Sequence, residues 1–276
     1  LNGPNQSSAY TTIPTPFFCI NNAQQYNQGA IDADGDLLTF DLVPGQNGNG
    51  GIVSYAAPYT FAQPLGTAAG NFYFNSSTGQ LSFLPNIAQN ALVVSKVTET
   101  RNGIVVGTSM REMVFVVLSN CNNQSPSGLI TGNNGGIIAN GNEITICNAN
   151  SNLQFDIQVS DPDNGKVTVN FSGLPAGATM TLSNNNTPSP LMHFEWNIPP
   201  ATPPGDYTFY VTYQDDGCPL SSKQTIAYTI HYVQPIEASV TSTPETCIPS
   251  GDGTLSITAT SANGGFEYAL NGNNFQ

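Results

Sequence analysis

Short runs rich in β-branched and aromatic residues recur along almost the whole chain, each closed by a cluster of Asn, Gly, Pro or Asp. LLTFDLV, GNFYFN, QLSFL, ALVVSKVTET and REMVFVVLS are followed by EITI, LQFDIQVS, KVTVNF, ATMTLS, HFEWNI, DYTFYVTYQ and QTIAYTIHYV, and then by EASVTST, TLSITAT and FEYAL. They lie 8 to 15 residues apart and none sustains a 3.6-residue period. That spacing belongs to antiparallel β-sandwiches, in which strands alternate apolar and polar faces between tight connections. With 27 Gly, 20 Pro and 32 Asn in 276 residues, the connections are turns, because Gly and Asn accept positive φ at little cost. The chain is expected to be all-β.

Length and charge narrow the function classes. At about 100 to 150 residues per domain, 276 residues hold two or three domains. The net charge of −13 arises mainly from a shortage of bases, which are Lys96, Arg101, Arg111, Lys166 and Lys223 alone. So few cations supply neither the phosphate neutralisation of a nucleic-acid binder nor a polybasic membrane patch. No run of 18 apolar residues occurs, so no membrane insertion is expected. Leu1 and Gln276 both read as cuts in a longer exported polypeptide.

Two stretches can be laid over one another. FFCINNAQQYNQGAIDADGD matches TICNANSNLQFDIQVSDPDNG, with 13 residues from Cys19 to Asp32 and 14 from Cys147 to Asp161. Further on, GQLSFLPNIAQNALVVSKVTE matches HFEWNIPPATPPGDYTFYVTYQDD, which sets Phe83 with Trp196 as core residues and Glu99 near Asp215. This predicts tandem immunoglobulin-like or cadherin-like sandwiches over residues 1–121 and 122–234, the first with an insertion from Gly45 to Gly70, and a partial module over 235–276.

Asp32-Ala33-Asp34-Gly35-Asp36 sets three carboxylates at alternate positions on a turn, and Asp161-Pro162-Asp163 repeats the arrangement. Carboxylates this close repel unless a hard cation gathers them, and calcium takes roughly six to eight oxygen ligands. In a sandwich, the turn after the second strand lies at the same end as the hairpin before the last strand. Asp32, Asp34 and Asp36 then converge with Glu99, and Asp161 and Asp163 with Asp215 and Asp216. The competing reading is of plain polar turns. An EF-hand does not fit, since its glycine position would hold Leu37 and its bidentate glutamate position Val43.

The five cysteines contain no C-x-x-C pair, which favours disulfides in an extracytoplasmic setting over zinc or iron–sulfur sites. Cys19 with Cys121 would close the first module. Cys147 with Cys218 is the matching choice in the second, although sandwich topology sets those two at opposite poles, so Cys121 with Cys218 is a rival. Cys247 has no evident partner; it pairs outside this stretch, pairs with Cys147 or stays free. The aromatic set Tyr55, Tyr59, Phe61, Phe72, Tyr73 and Phe74 reads either as packing or as a sugar-stacking platform. His193 and His231 stand in no HExxH or G-x-S-x-G context, so hydrolytic triads and zinc proteases lack their parts, and no enzyme activity is expected.

The segment from Cys247 through GDGTLSITATSANGGFEYALNGNNF resembles the SprB-type repeat of gliding-motility adhesins in the Bacteroidetes. The matching positions are Cys247, Asp252, Gly253, Ile257, Ala259, Gly264, Gly265, Tyr268 and Leu270, while Asn263 and Phe266-Glu267 depart from the pattern. CINN…DADGDLLTFDLV and DDGCPLSSKQTIAYTI are similar to cadherin-like domains of large surface proteins in that phylum. The resemblance implies a structural or adhesive segment of a secreted cell-surface filament, exported by a type IX system and without catalytic residues. Its implied partners are neighbouring modules, surface glycans and other surface proteins. The alternative is a carbohydrate-binding accessory region of a secreted enzyme.

Overall fold

A computed structural model of the chain describes residues 4–147, 152–233, 237–260 and Tyr268. The expected junction near residue 235, and the repeat positions Gly264, Gly265 and Leu270, lie outside the described residues. Among the described residues there is no helix, and none is therefore long and apolar enough to cross a membrane.

The first nine strands are β1 (Ala9–Tyr10), β2 (Phe17–Cys19), β3 (Gln24–Tyr26), β4 (Ala30–Ile31), β5 (Leu37–Leu42), β6 (Thr67–Phe74), β7 (Leu81–Pro85), β8 (Gln89–Arg101) and β9 (Ile104–Leu118). They form a sheet ordered β2-β9-β8-β5, a sheet ordered β3-β7-β6 and a small β1-β4 ladder. Alternation along β8 and β7 turns Ala91, Val93, Leu81 and Phe83 inward, where they meet Phe18, Tyr26, Phe115 and Val117.

The next nine are β10 (Ser127–Thr131), β11 (Ile137–Ala139), β12 (Glu143–Ile146), β13 (Asn152–Ser160), β14 (Thr168–Ser172), β15 (Ala178–Ser183), β16 (Leu191–Asn197), β17 (Gly205–Gln214) and β18 (Lys223–Tyr232). They make sheets ordered β10-β13-β16-β15 and β11-β12-β18-β17-β14. In both modules an early strand pairs parallel with the last one, β2 with β9 and β12 with β18. Phe155, Phe194 and Phe209 stack between the two sheets of module two at centroid distances of 4.5 and 5.4 Å. Trp196 is 1% exposed beside them. The chain is thus all-β, built of tandem antiparallel β-sandwiches.

Tyr228 donates its hydroxyl hydrogen to the carbonyl of Gly128 at 2.8 Å, which leaves its oxygen to accept from Tyr213 at 2.6 Å. Gly128 admits this close approach because a Cβ there would lie 2.3 Å from the Tyr213 oxygen.

The two modules also touch. β18 is buried at almost every position: Ile226, Tyr228, Ile230 and Tyr232 face the core, Gln224 lies at the start of the strand on the core-facing side, and Thr225, Ala227 and Thr229 point the other way. That second face, together with Gln224, meets module one. Gln25 N donates to Gln224 Oε1 at 2.6 Å, Gln80 Nε2 to the Thr225 carbonyl at 3.2 Å, and Ala227 N to Gln80 Oε1 at 2.8 Å. Nearby, Tyr210 donates to the carbonyl of Ala30 at 3.1 Å.

The last described strands, β19 (Glu237–Thr243) and β20 (Thr254–Thr260), form an antiparallel pair with β19 exposed throughout. Val240, Leu255 and Ile257 stand in solvent.

Cys19 and Cys121 are joined, with Cα atoms 5.5 Å apart and 102 residues between them in sequence. Cys147 and Cys218 are not joined; both are exposed free thiols, as is Cys247. The register of β18 explains this. Cys147 follows Ile146, which pairs with Tyr232, whereas Cys218 precedes Lys223 at the other end of the strand. Ten strand residues span about 30 Å, far beyond disulfide reach. The rival partner Cys121 is already bonded to Cys19.

Alkylation of the denatured, unreduced protein is therefore expected to modify three of its five cysteines. Closing a loop of this length contributes on the order of 4 kcal/mol in the chain-entropy model. Reduction should accordingly lower the urea midpoint of module one and leave that of module two unchanged, and five reactive thiols without reductant would contradict the bond.

Candidate metal centre

Asp32, Asp34 and Asp36 each bring a carboxylate oxygen within 4.8 Å of the others. The turn does this by folding round Asp32, whose Oδ1 accepts the N–H groups of Asp34 and Asp36, both at 2.9 Å. Gly35 takes φ +77°, which lets the chain double back. Asp161 repeats the construction: its Oδ1 accepts the N–H of Asp163 at 2.7 Å and of Gly165 at 3.2 Å, and Asn164 stands at φ 59° where Gly35 stands in the first copy.

The segment leading into each module is fastened to the same end. In module one, Asn5 Nδ2 donates to Glu99 Oε2 at 2.7 Å and Gln6 N to Asp34 Oδ2 at 2.7 Å. In module two, Asn123 Nδ2 donates to Asp215 Oδ2 at 2.8 Å, and Gln124 N donates to Asp163 Oδ2. Glu99 and Asp215 thus hold matching positions beside their turns, and both are buried.

Neutralisation differs between the copies. Arg101 donates from Nε to Asp36 Oδ1 at 2.6 Å, and from Nη2 to Asp36 Oδ2 at 2.8 Å and to Asp34 Oδ2 at 3.1 Å. A cation at Asp32, Asp34 and Asp36 would compete with this guanidinium for two of its three carboxylates. In module two the counterparts of Asp36 and Arg101 are Gly165 and Gly217, and the extra carboxylate is Asp216, whose Oδ1 accepts only the backbone N–H of Lys166. No Lys or Arg is ion-paired with Asp161, Asp163, Asp215 or Asp216 among the described residues. Asp32 Oδ2 and Asp161 Oδ2 are both buried without a hydrogen-bond partner. An orphaned carboxylate oxygen beside other acids suits a hard, oxygen-seeking cation; among the described residues only Asp32, Asp34 and Asp36 gather three carboxylate oxygens this closely, whereas Asp161, Asp163, Asp215 and Asp216 stand further apart but have no guanidinium to compete with a cation.

The electrostatics agree with that contrast. Burial pushes the Asp215 carboxyl up, and the charge of Asp161 adds to the rise; hydrogen bonds from Gly217, Ser222 and Asn123 only partly oppose it. Burial would also raise Glu99, but the N–H of Ser8 and the amide of Asn5 outweigh it and hold the carboxyl below its ordinary value. On Arg101 the bond to Asp36 dominates and raises its pKa further. The histidines are elsewhere in the fold: His193 pairs with Asp156 and His231 with Asp206, each a cross-strand contact at 2.7 Å.

Asn5, Gln6, Asn123, Gln124 and Arg101 all belong to this construction, although acidic spacing does not point to them. The repeated tetrapeptides Asn5-Gln6-Ser7-Ser8 and Asn123-Gln124-Ser125-Pro126 are the signal that would have found the first four.

No family model matches the chain, and no curated protein matches it. Among solved structures it is similar to the EC1–4 fragment of Drosophila N-cadherin, at 12% identity and TM-score 0.28 over 84% of this chain and 51% of that one. It is also similar to a SusE-like surface-located polysaccharide-binding protein of Bacteroides thetaiotaomicron, at 10% identity and TM-score 0.25 over 84% of this chain and 34% of that one. A third is titin A168–A169, at 8% identity and TM-score 0.23, covering 82% and 99%. The chain spans about half the length of the N-cadherin fragment, and likenesses this distant carry no argument about function.

The two acids give opposite pH dependence. Unfolded Glu99 takes up a proton near its ordinary 4.5 while the folded group stays ionised, so its stabilisation is present above that pH and lost as pH falls through the folded pKa. Folded Asp215 takes up its proton above the ordinary 3.8, so it destabilises at neutral pH and the strain is relieved on acidification. In EDTA, Glu99→Gln should flatten the loss of module-one stability as pH falls through and below the ordinary carboxylate value of 4.5. Asp215→Asn should remove an opposing gain in module two, read by the fluorescence of the chain's one tryptophan, Trp196. Unchanged pH profiles in both variants would remove this assignment.

Proposed function

We propose that this chain is an adhesive and structural segment of a large bacterial cell-surface protein, of the kind that the SprB-type resemblance implies, with tandem sandwiches at 1–121 and 122–234 followed by a partial repeat at 235–276. The observation that carries the reading is the repeated lock at the top of each module. The chain entering the module is tied through Asn5 and Gln6, or Asn123 and Gln124, to a buried acid and an acidic turn. A device repeated at successive domain starts is architecture: it fixes how each module leaves the one before it. An active site would have no reason to recur in this way.

Calcium is the cation we assign to the second lock, held by Asp161, Asp163 and Asp216 with Asp215 beside them. Bound there, it supplies positive charge to Asp161 Oδ2 and opposes the rise of Asp215 that burial, and secondarily the charge of Asp161, produces. Asp32, Asp34 and Asp36, with Glu99 beside them, form a weaker cation site because Arg101 already serves them.

Two measurements test the proposal. Millimolar calcium at a site of ~10 µM affinity adds roughly 2.7 kcal/mol, so melts in calcium and in EDTA should differ by several degrees. Asp163→Asn with Asp216→Asn should abolish most of that difference, whereas identical melts of the parent protein would end the calcium assignment. Separately, antibodies against the chain should label intact cells of the producing bacterium; labelling only after permeabilisation would end the surface reading.

A further inference from the structure

The connection between β5 and β6 runs from Val43 to Gly66, whereas the matching connection in module two, between β14 and β15, is only residues 173–177. The long loop folds back onto β8. Leu65 anchors it, being 1% exposed within the module-one core. Glycines let it lie close at both ends: a Cβ on Gly45 would come within 2.6 Å of Leu92, and one on Gly66 within 2.7 Å of Ile87. Between loop and strand is a cavity of about 420 Å³, lined on the loop side by Val53, Tyr55, Tyr59 and Pro64 and on the strand side by Gln89 and Leu92, among others.

Two of these residues carry an unmet polar group. The Tyr55 hydroxyl and Gln89 Nε2 are out of contact with solvent and have no hydrogen-bond partner. The Gly45 backbone lies beside the Tyr55 hydroxyl as a weak partner that falls short of full hydrogen-bond geometry. Gln89 is held by its other end, where Oε1 accepts the N–H of Gly66 at 3.2 Å, so its amide nitrogen sits behind the cavity lining and a ligand reaches it by displacing a neighbouring side chain. Buried polar groups left unpaired cost on the order of 1 to 3 kcal/mol each, and native proteins rarely leave two together without something to complete them. None of the eleven residues lining the cavity is charged. Its volume is at the small end of the range for small-molecule sites.

We propose that this cavity binds a neutral sugar unit. A pyranose has an apolar C–H face that packs on an aromatic ring and hydroxyl groups that both donate and accept. Tyr55 and Tyr59 provide rings, Val53, Pro64 and Leu92 an apolar floor, and the Tyr55 hydroxyl and Gln89 amide the polar partners. The absence of a base in the lining disfavours uronic acids and sulfated sugars, which would bring unpaired charge into a chain already at −13. The site deepens the adhesive reading and rests on it, since it names what that surface would attach to. The short loop of module two makes it a property of module one alone.

The test is saturation-transfer NMR on the full chain with glucose, galactose, mannose and N-acetylglucosamine at millimolar concentration, and with glucuronic acid for contrast. At least one neutral sugar should receive transfer, and glucuronic acid should not. Tyr55→Phe and Gln89→Glu, each melting as the parent does, should weaken binding by roughly tenfold, as expected for one lost buried hydrogen bond. No transfer to any neutral sugar, or transfer that persists at full strength in both variants, overturns the proposal. A chain that labels on intact cells but binds none of these sugars overturns this inference alone. Sugar binding by a chain absent from the cell surface overturns the adhesive reading and leaves the sugar site standing.

Discussion

A strand buried on both faces, β18, sets the arrangement of everything around it. Its core face is aromatic and aliphatic, as any inner sandwich strand must be. Its other face carries Thr225, Ala227 and Thr229, too small and too polar to drive association by apolar area. What joins the modules there is hydrogen bonding to groups that would otherwise be stranded. β12 pairs with β18 only from Thr229 onward, so the backbone edge at Thr225 and Ala227 has no strand beside it. Gln80 of module one fills that gap, its amide donating to one residue and accepting from the other as a neighbouring strand would. Such contacts are directional, and they fix one orientation between modules where a greasy surface would tolerate several.

That fixed orientation gives the acidic locks their meaning. Asn22 of module one donates to the carbonyl of Asn123 and to Ser125, so the segment that locks module two is itself held by module one. The two locks then solve one electrostatic problem in different ways. Arg101 is a covalent part of module one and offsets part of its turn's negative charge under all conditions. Module two has no such partner, and its balance depends on what the solvent supplies. The stability of the second lock is therefore linked to its surroundings in a way that the first is not.

The longer strands were legible because their alternation is a local property: LQFDIQVS and HFEWNI carry their inward residues at every second position. Strands of two to five residues, such as β1, β10 and β11, carry too few alternations to register, and tertiary pairing alone defines them. The acidic turns could be read as crowded carboxylates, but Arg101 could not, because its ion pair with Asp36 crosses 65 residues and follows from the register of β5 on β8. The expected Cys147–Cys218 bond illustrates the same limit. Matching modules by their internal marks aligned the cysteines, but the length of β18 decides their distance. Gln80, in the sequence the first residue of QLSFL, shows no sign of its role until β18 lies beside it.

The modules reach stability by different routes, and this bears on where a ligand can bind. Module two concentrates twenty buried residues in one core, with stacked aromatics spanning both sheets. The principal core of module one has nine, because much of its chain is spent on the long loop at 43–66. A smaller core supplies less stabilisation, and this module adds a disulfide across 102 residues and a buried ion pair. Those cross-links join Cys19 to Cys121 and Asp36 to Arg101, none of them residues of the loop. They hold the sheets without requiring the loop to pack tightly, so a cavity with unpaired polar groups is tolerated beside β8. Module two, whose larger core is closed by no disulfide, keeps the corresponding connection to the five residues 173–177.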